Sequence, residues 1–379
     1  MLGWRDVKRM TPREIAVQVG VVLLVVALVV SAYLSARINL TELGITSGFN
    51  FLDRDTGWSY SFSLIERSID DTYRKTLLIG FLNTVFVGLI SIVFATILGF
   101  LIGTMRDSEN PGLKAISSLY VQIFRNIPLI LQIVFLYSIP IHFPGPKQAY
   151  SIGDIIFMSN RGIMLPVLNL PLWSITALVV VAVLLGWILL KTRLSVWAAM
   201  AIWLGAVVAG IALAIVLLIP EGKDIVSIPF LKGLRFREGL TLSVELVAMI
   251  IGIVLYSSAY IGEVVRGGLD EVPKGLVEAG KSLGLGRFAV WWTIKIPMAL
   301  RSIIPPLGNQ WIFTMKATTV GVAIGFSDLF YIVSTSITQS GQTLELIAIL
   351  MGAFLLVNFV IAQLVTLLNS RLALKGYGS

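Results

Sequence analysis

The residue types that most often carry out catalysis or bind metals are scarce in this chain. It has no Cys and a single His, His142, among 379 residues. Disulfides, thiol nucleophiles, thiolate zinc sites and iron–sulfur clusters are therefore excluded, and His-based sites have almost no residues available. We predict no catalytic residue and no metal site on this chain.

One stretch matches a phosphate-binding pattern. Gly275, Gly280, Lys281 and Ser282 have the spacing G-x-x-x-x-G-K-[ST]. A loop of this kind requires a buried strand before it and a helix after it whose amide groups face the phosphates. Here charged residues and a Pro precede the first Gly, and Glu278 would place an anion inside the loop. The match therefore does not indicate nucleotide binding by this chain.

The same stretch has the start and stop signals of a short helix. Pro273 suits a first turn, and Gly284 suits a left-handed residue after the helix end. One face of this helix then carries Leu276, Leu283 and either Ala279 or Gly280. A short surface helix with one apolar stripe is typical of a docking element for a partner protein. The residues predicted to make that contact are Pro273, Lys274, Leu276, Val277, Glu278, Ala279, Gly280, Leu283 and Gly284.

The composition indicates a membrane protein. Hydrophobic residues make up 56% of the chain and charged residues 13%, whereas an average soluble domain has about 25% charged residues. About eight apolar stretches are long enough to cross a hydrocarbon core of roughly 30 Å. The sequence therefore predicts an all-α integral membrane protein. The predicted spans cover residues 15–36, 77–105, 116–141, 172–190, 195–219, 240–265, 298–325 and 343–368.

The net charge of +8 has two interpretations. It could indicate nucleic-acid binding, but basic residues at the cytoplasmic ends of membrane spans give the same balance. An even number of spans puts both termini on one side. If that side is the cytoplasm, about half of the 29 basic residues lie in cytoplasmic segments. We therefore expect both termini and the loop 266–297 in the cytoplasm, and no nucleic-acid partner.

Four motifs in order resemble the permease subunits of bacterial ABC importers. The stretch 278–297 resembles their E-A-A-x-x-x-G-(x)9-I-x-L-P loop, with Gly280 for the second Ala and Ile296 for Leu. Three companion motifs are similar to the polar amino-acid permease branch: FRNIPL at 124–129 with Gln132, AYIGEVVRGG at 259–268 and PPLGNQ at 305–310. In addition, NRGIMLP at 160–166 and the extra spans resemble the larger subunit type of general L-amino-acid importers.

The resemblance implies a type I ABC importer core of five helices, which corresponds to the second, third, sixth, seventh and eighth predicted spans. Residues 1–76 would then hold an N-terminal span and a periplasmic segment, and residues 77–141 core spans. Residues 142–239 would hold a periplasmic loop and two additional spans, and residues 240–370 core spans with the coupling loop 266–297.

The resemblance also implies partners and a location. The short helix would be the coupling helix, seated in a groove of a cytoplasmic ABC ATPase dimer. ATP and Mg would belong to that ATPase, so no cofactor is expected on this chain. The other implied partners are a second, homologous permease subunit, a periplasmic amino-acid-binding protein and membrane lipid. The implied location is the bacterial inner membrane.

Ionisable residues inside the predicted spans are the remaining candidates, because each costs at least about 2.5–3.5 kcal/mol near the bilayer centre. Lys316, with Thr318 and Glu245, is a candidate substrate cavity in which Lys316 meets a substrate carboxylate. The alternative is a structural ion pair of Lys316 with Glu245 or a contact with a helix-end carbonyl. Glu263 and Arg266 lie on one helix face, as a local structural pair or as a gate.

Two other function classes are alternatives to an importer subunit. A self-contained, ion-coupled secondary transporter would favour acidic or His residues at mid-membrane and broken helices there, and it would need no docking helix. A membrane-embedded hydrolase would need a His-containing triad or a metal cluster. The sequence favours the importer subunit over both.

Overall fold

The computed structural model describes residues 12–42, 48–189, 192, 196–219, 224–233 and 235–372. Over these residues, the apolar stretches form helices, and short strands lie between α4 and α7. The helices are α1 Pro12–Glu42, α2 Tyr73–Asp107, α3 Pro111–Asn126, α4 Leu129–Ile141, α5 Leu172–Leu189, α6 Val196–Leu218, α7 Val244–Asp270, α8 Lys274–Ser282, α9 Arg287–Val290, α10 Ile296–Ala317, α11 Leu329–Ser340 and α12 Thr343–Leu372. The strands are β1 Tyr150–Ile152, β2 Ile156–Ser159, β3 Gly162–Leu165, β4 Val167–Leu168, β5 Val226–Ser227, β6 Phe230–Lys232, β7 Arg235–Arg237 and β8 Leu240–Leu242.

Several described helices are long and apolar enough to cross a membrane, which confirms a multi-span helical membrane protein. Five pass singly: Ile15–Asn39, Tyr73–Asp107, Ala198–Leu218, Val244–Asp270 and Thr343–Asn369. Two bent pairs raise the number to seven: Pro111–Asn126 with Leu129–Ile141, bent by 100°, and Arg287–Ile324 with Leu329–Ser340, bent by 50°. The predicted number of eight is not confirmed.

The predicted span 116–141 was wrong as a single helix, because the chain bends between α3 and α4. Pro128 has no N–H to continue α3, and it disfavours helical geometry at Ile127. Pro128 instead caps α4 with φ −54° and ψ 136°. The side-chain amide of Gln132 donates to the carbonyls of Phe124 and Ile127, at 2.9 and 2.8 Å, and so satisfies two acceptors at the end of α3.

The predicted span 298–325 is also not one α-helix. Helix α10 stops at Ala317, and a 3-10 helix, Thr318–Ile324, follows it. Gly325 then turns the chain with φ +71°. The carboxylate of Asp328 accepts the Tyr331 N–H at 2.9 Å and caps α11. This break gives the chain a separate helix, α11, that the sequence did not predict.

The strands between α4 and α7 add β structure to the predicted all-α class. Four of them form an antiparallel sheet in the order β1-β2-β3-β8, while β4 pairs with β5 and β6 pairs with β7. The sequence predicted a span that starts at residue 240. Because Leu240–Leu242 pairs with β3, helix α7 instead begins at Val244. The predicted class therefore describes the membrane helices and omits this small sheet.

The chain forms two compact units. The first is built from the described residues up to Ser118 and from Ser257 onward, and the second from the described residues of Leu119–Tyr256. In the first unit α10 packs against α2 and α12, and α11 packs against α2 and α12. The second unit contains the strands β1 to β8, and in it α5 packs against α6.

Two glycines allow α2 and α7 to approach closely within the first unit. A Cβ on Gly99 would lie 2.6 Å from the Cβ of Ile261, and one on Gly103 would lie 2.6 Å from the Cβ of Val265. These contacts adjoin an apolar cluster that also contains Leu269 of α7 and residues of α10. The pair at spacing G-x-x-x-G is therefore a helix-packing contact, as such pairs usually are.

Candidate functional site

The candidate site is the segment 271–295, which we call the loop segment, between α7 and α10. Pro273 is the N-cap of α8, and Gly284 has φ +81° just after its end. The Leu285 N–H donates to the Gly280 carbonyl at 3.1 Å, and the Gly284 N–H donates to the Lys281 carbonyl at 2.9 Å. This is a Schellman motif, so the predicted helix end at Gly284 is confirmed.

The residues of the phosphate-binding pattern lie within α8. Gly275 and Ser282 are both helical, since α8 runs from Lys274 to Ser282. The backbone amides in the later turns of a helix bond to carbonyls four residues earlier, so they cannot surround a phosphate. The stretch is a helix and not a phosphate-binding loop.

The predicted apolar stripe lies on the exposed face of α8. Leu276 and Leu283 are exposed, with Leu283 at 82%, and Ala279 is exposed between them. On the opposite face Gly280 is buried, and Val277 packs against the apolar cluster of α7 and α10. One face of α8 thus holds it to the membrane helices while the other is available to a partner.

Gly280 determines how closely α8 lies against the residues that follow it. A Cβ at this position would lie 2.6 Å from the Cδ1 atom of Ile294 and 3.3 Å from the Cγ2 atom of Val290. Both neighbours are side-chain tips, so a small side chain requires a shift of Ile294, whereas a large one has no room. The sequence motif with Gly in place of the second Ala is consistent with this tight contact.

Two exposed aromatic residues of the loop segment were missed by the sequence reasoning. Phe288 is 76% exposed and Trp292 is 58% exposed, and their ring centroids lie 6.5 Å apart with an interplanar angle of 7°. They are four positions apart on consecutive helical turns, a spacing that places side chains on one face. That spacing was the available signal, and it adds aromatic surface to the apolar residues of α8.

Ion pairs connect the loop segment to the turn between α2 and α3. The Lys295 ammonium contacts both carboxylate oxygens of Asp107, at 2.7 and 2.6 Å, with side chains only 22% and 13% exposed. Arg287 contacts Glu109 at 3.1 Å, but those side chains are 86% and 75% exposed. A cavity of about 490 Å³ lies among these residues, lined also by Thr104, Lys281 and Trp291.

A second charged cluster joins α2 to the end of α7. The carboxylate of Glu263 accepts hydrogen bonds from Arg266, at 2.8 and 3.1 Å, and also pairs with Arg106 of α2. Arg266 additionally contacts Asp270 at 2.7 Å. The predicted pairing of Glu263 with Arg266 is confirmed, and the contact with Arg106 is a feature that sequence spacing could not show.

The three residues of the candidate substrate cavity lie in different surroundings. Lys316 is exposed and lies in the last turn of α10. Thr318 is fully buried, and its hydroxyl donates to the Met315 carbonyl at 2.9 Å. Glu245 is half-buried in the first turn of α7, which belongs to the other compact unit. A shared substrate cavity therefore stays a prediction. Among the described residues, no group of three or more metal-ligating side chains occurs.

Comparison with known proteins identifies the family. Residues 95–374 match the family model described as "binding-protein-dependent transport system inner membrane component". The chain belongs to this family. One relative is YhdX of Escherichia coli strain K12, whose name places it among amino-acid ABC transporter permeases. It is 37% identical over 96% of this chain and 95% of its own.

Two further relatives also align over nearly their whole length. The general L-amino acid transport system permease protein AapQ of Rhizobium johnstonii is 31% identical over 96% of this chain and 92% of its own. The glutamate/glutamine/aspartate/asparagine transport system permease protein BztB of Rhodobacter capsulatus is 30% identical over 96% and 94%. The predicted resemblance is thereby confirmed: this permease is a multi-pass membrane protein whose role is transport and not catalysis.

Proposed function

We propose that this permease is the transmembrane subunit of an ATP-driven amino-acid importer and that the loop segment couples it to the ATPase. The substrate class rests on the full-length similarity to permeases named for amino acids. In this proposal the amino acid crosses the membrane by alternating access. Substrate is delivered by a periplasmic binding protein.

The exposed side of α8 supports docking of a cytoplasmic ABC ATPase dimer. Leu276 and Leu283 project from a helix whose other face is already packed. Large apolar side chains exposed in a cluster outside the lipid cost solvation free energy unless a partner covers them. Phe288 and Trp292 add the aromatic side chains that are enriched in protein interfaces.

The inner side of the loop segment supports transmission of movement. Gly280 of α8 packs against Ile294, and the adjacent Lys295 is paired with Asp107 at the end of α2. Arg106, the residue before Asp107, is paired with Glu263 of α7. Displacement of α8 would therefore pull on α2 and α7 together. In this scheme Glu263 and Arg266 act as a structural pair that holds the start of the loop segment.

The remaining parts of the importer follow from the same proposal. ATP and Mg are held by the ATPase, and a second, homologous permease completes the translocation pathway. The location is the bacterial inner membrane with both termini in the cytoplasm. Residues 77–141 and 240–370 supply the core spans, while residues 1–76 and 142–239 supply the additional spans and the periplasmic segments.

Substrate contact is assigned to Lys316, since its exposed ammonium at the end of α10 can meet a carboxylate. Thr318 lies two positions further on but is buried in this conformation. The alternative of a self-contained secondary transporter is disfavoured by membership of a binding-protein-dependent family. It would also leave the exposed stripe of α8 without a role.

Reconstitution tests the proposal. The permease is expressed with its partner permease and ATPase, placed in proteoliposomes and supplied with binding protein and radiolabelled amino acid. We expect uptake only with ATP and binding protein together. Uptake by this chain alone, driven by an ion gradient, would refute the proposed importer role.

A variant pair tests the docking surface. Leu283→Gln should reduce co-purification of the ATPase and ATP-dependent uptake, because it makes an exposed apolar contact polar. Leu113→Gln is the matched control, since Leu113 is also an exposed leucine but lies on α3. Equal ATPase retention in the two variants would contradict docking at α8.

A further inference from the structure

The hairpin of β6 and β7 in the second unit carries an unusual concentration of positive charge. The strands pair in the register Phe230↔Arg237, Leu231↔Phe236 and Lys232↔Arg235. Side chains of directly opposed residues lie on the same face of a two-stranded ribbon. Three cations therefore share one face, together with Phe230.

The other face of the hairpin is held by packing. Phe236 lies 4.8 Å from Phe157 of β2, measured between ring centroids, and it is the only half-buried residue among those described in the two strands. Leu231 is on the same face as Phe236. The four-stranded sheet therefore orients the hairpin so that the three cations point away from it.

The charged face is electrostatically unfavourable as it stands. Lys232 is directly opposite Arg235, and like charges in that position destabilise a strand pair. Lys232, Arg235 and Arg237 are all exposed, and none of the ion pairs found among the described residues includes them. An external anion near this face would remove the repulsion and gain contacts with all three cations.

The chain limits how far this face can lie from a bilayer surface. Helix α7, a candidate membrane span, begins at Val244, and residues 237 to 244 can extend at most about 24 Å at about 3.4 Å per residue. On the other side of the hairpin, the candidate span Ala198–Leu218 ends shortly before it. Phe230, 47% exposed on the cationic face, can insert among headgroups while the cations contact phosphates.

From this placement we infer that the cationic face of the β6–β7 hairpin binds anionic phospholipid headgroups. The function is separate from transport chemistry. Binding would fix the small sheet on the membrane surface and make the position of the hairpin dependent on lipid charge. Attraction to an anionic surface contributes about fivefold in affinity for each cation, so the opposed pair Lys232 and Arg235 contributes about 25-fold.

Fluorescence quenching in lipid nanodiscs tests the inference with the full chain. The chain has no Cys, so Ile228→Cys, at an exposed position beside the hairpin, provides a single labelling site. Nanodiscs contain phosphatidylcholine with increasing phosphatidylglycerol and a headgroup quencher. We expect quenching to increase with phosphatidylglycerol and to decrease at high salt.

Two double variants in the labelled chain decide the outcome. K232Q/R235Q should shift the half-maximal effect toward higher phosphatidylglycerol or abolish it, whereas K114Q/K147Q, which removes two other exposed lysines, should behave as the parent. The inference is overturned if quenching in the parent is independent of phosphatidylglycerol, or if both double variants lose the response equally. A response to added binding protein but not to lipid charge would also overturn it.

Discussion

The pair of Lys295 and Asp107 provides the sharpest test of how the loop segment is joined to α2. Lys295→Met removes the ammonium and leaves a carboxylate that is 13% exposed and has lost both of its 2.6 and 2.7 Å contacts. Breaking a fully buried pair costs about 3–5 kcal/mol, while exposed pairs contribute about 0–1 kcal/mol. Partial exposure places this pair between those limits, at about 2 kcal/mol.

The nearby pair of Arg287 and Glu109 is the matched control. It joins the same two segments and lines the same cavity, but its side chains are 86% and 75% exposed. Arg287→Met should therefore change stability by no more than about 0.5 kcal/mol. Both variants remove one cation from the cavity, so any effect of net charge is the same in each.

Two measurements test this prediction. Thermal unfolding of the assembled importer in nanodiscs reports stability, and the ratio of ATP hydrolysed to amino acid transported reports coupling. Lys295→Met should lower the unfolding temperature and raise that ratio, and Asp107→Asn combined with Lys295→Met should recover part of both losses. Equal effects of Lys295→Met and Arg287→Met, or no recovery in the double variant, would refute the assignment.

Three further predictions concern single positions. Gly284→Val should cost at least about 1–2 kcal/mol, because φ of +81° is unfavourable for a side chain, and it should increase proteolysis of the loop segment and reduce ATPase retention. Gly103→Leu should destabilise the protein by about 1–3 kcal/mol through overpacking against Val265, measured by thermal unfolding, with Gly275→Leu as an unobstructed control. Asp71 should make the protein acid-sensitive. Burial would raise the pKa of its carboxyl, but hydrogen bonds from Lys75 and the Ser68 backbone, with the charges of Lys75 and Arg67, hold that pKa below its usual range. The stabilisation from the ionised Asp71 carboxylate is present above the unfolded pKa of about 3.8 and is lost as pH falls through the lower folded pKa. Asp71→Asn should abolish this part of the pH dependence of stability in unfolding scans.

Two pairs of glycines have the same spacing in the sequence but different roles in the structure. The pattern at Gly99 and Gly103 indicated close helix packing, and a Cβ at either position would collide with α7. Gly321 and Gly325 have the same spacing, which also favours close helix packing, but Gly325 does not pack in this way. That residue has φ +71°, and a Cβ placed on it would have no neighbour within 4 Å. Spacing cannot distinguish a packing glycine from a turn glycine when the helix ends between them.

The hydrophobic pattern of the sequence could not predict the bends between helices or the short strands. Proline chemistry explains why α3 cannot continue through Pro128, but it does not set the angle of 100° between α3 and α4. The strands from β1 to β8 are two to four residues long, too short for a period of two to be recognised. They are stabilised by pairing with distant segments, as β3 pairs with β8.

By itself, the sequence determined the membrane class, the short helix between Pro273 and Gly284, its exposed apolar stripe and the resemblance to importer permeases. Each of these depends on local composition, capping or helical spacing. Only the tertiary structure decided that Lys295 meets Asp107, a residue 188 positions away in the chain, and that Arg106 joins Glu263. Such partners are set by how helices pack, and ion pairs between distant segments leave no periodic signal in the sequence.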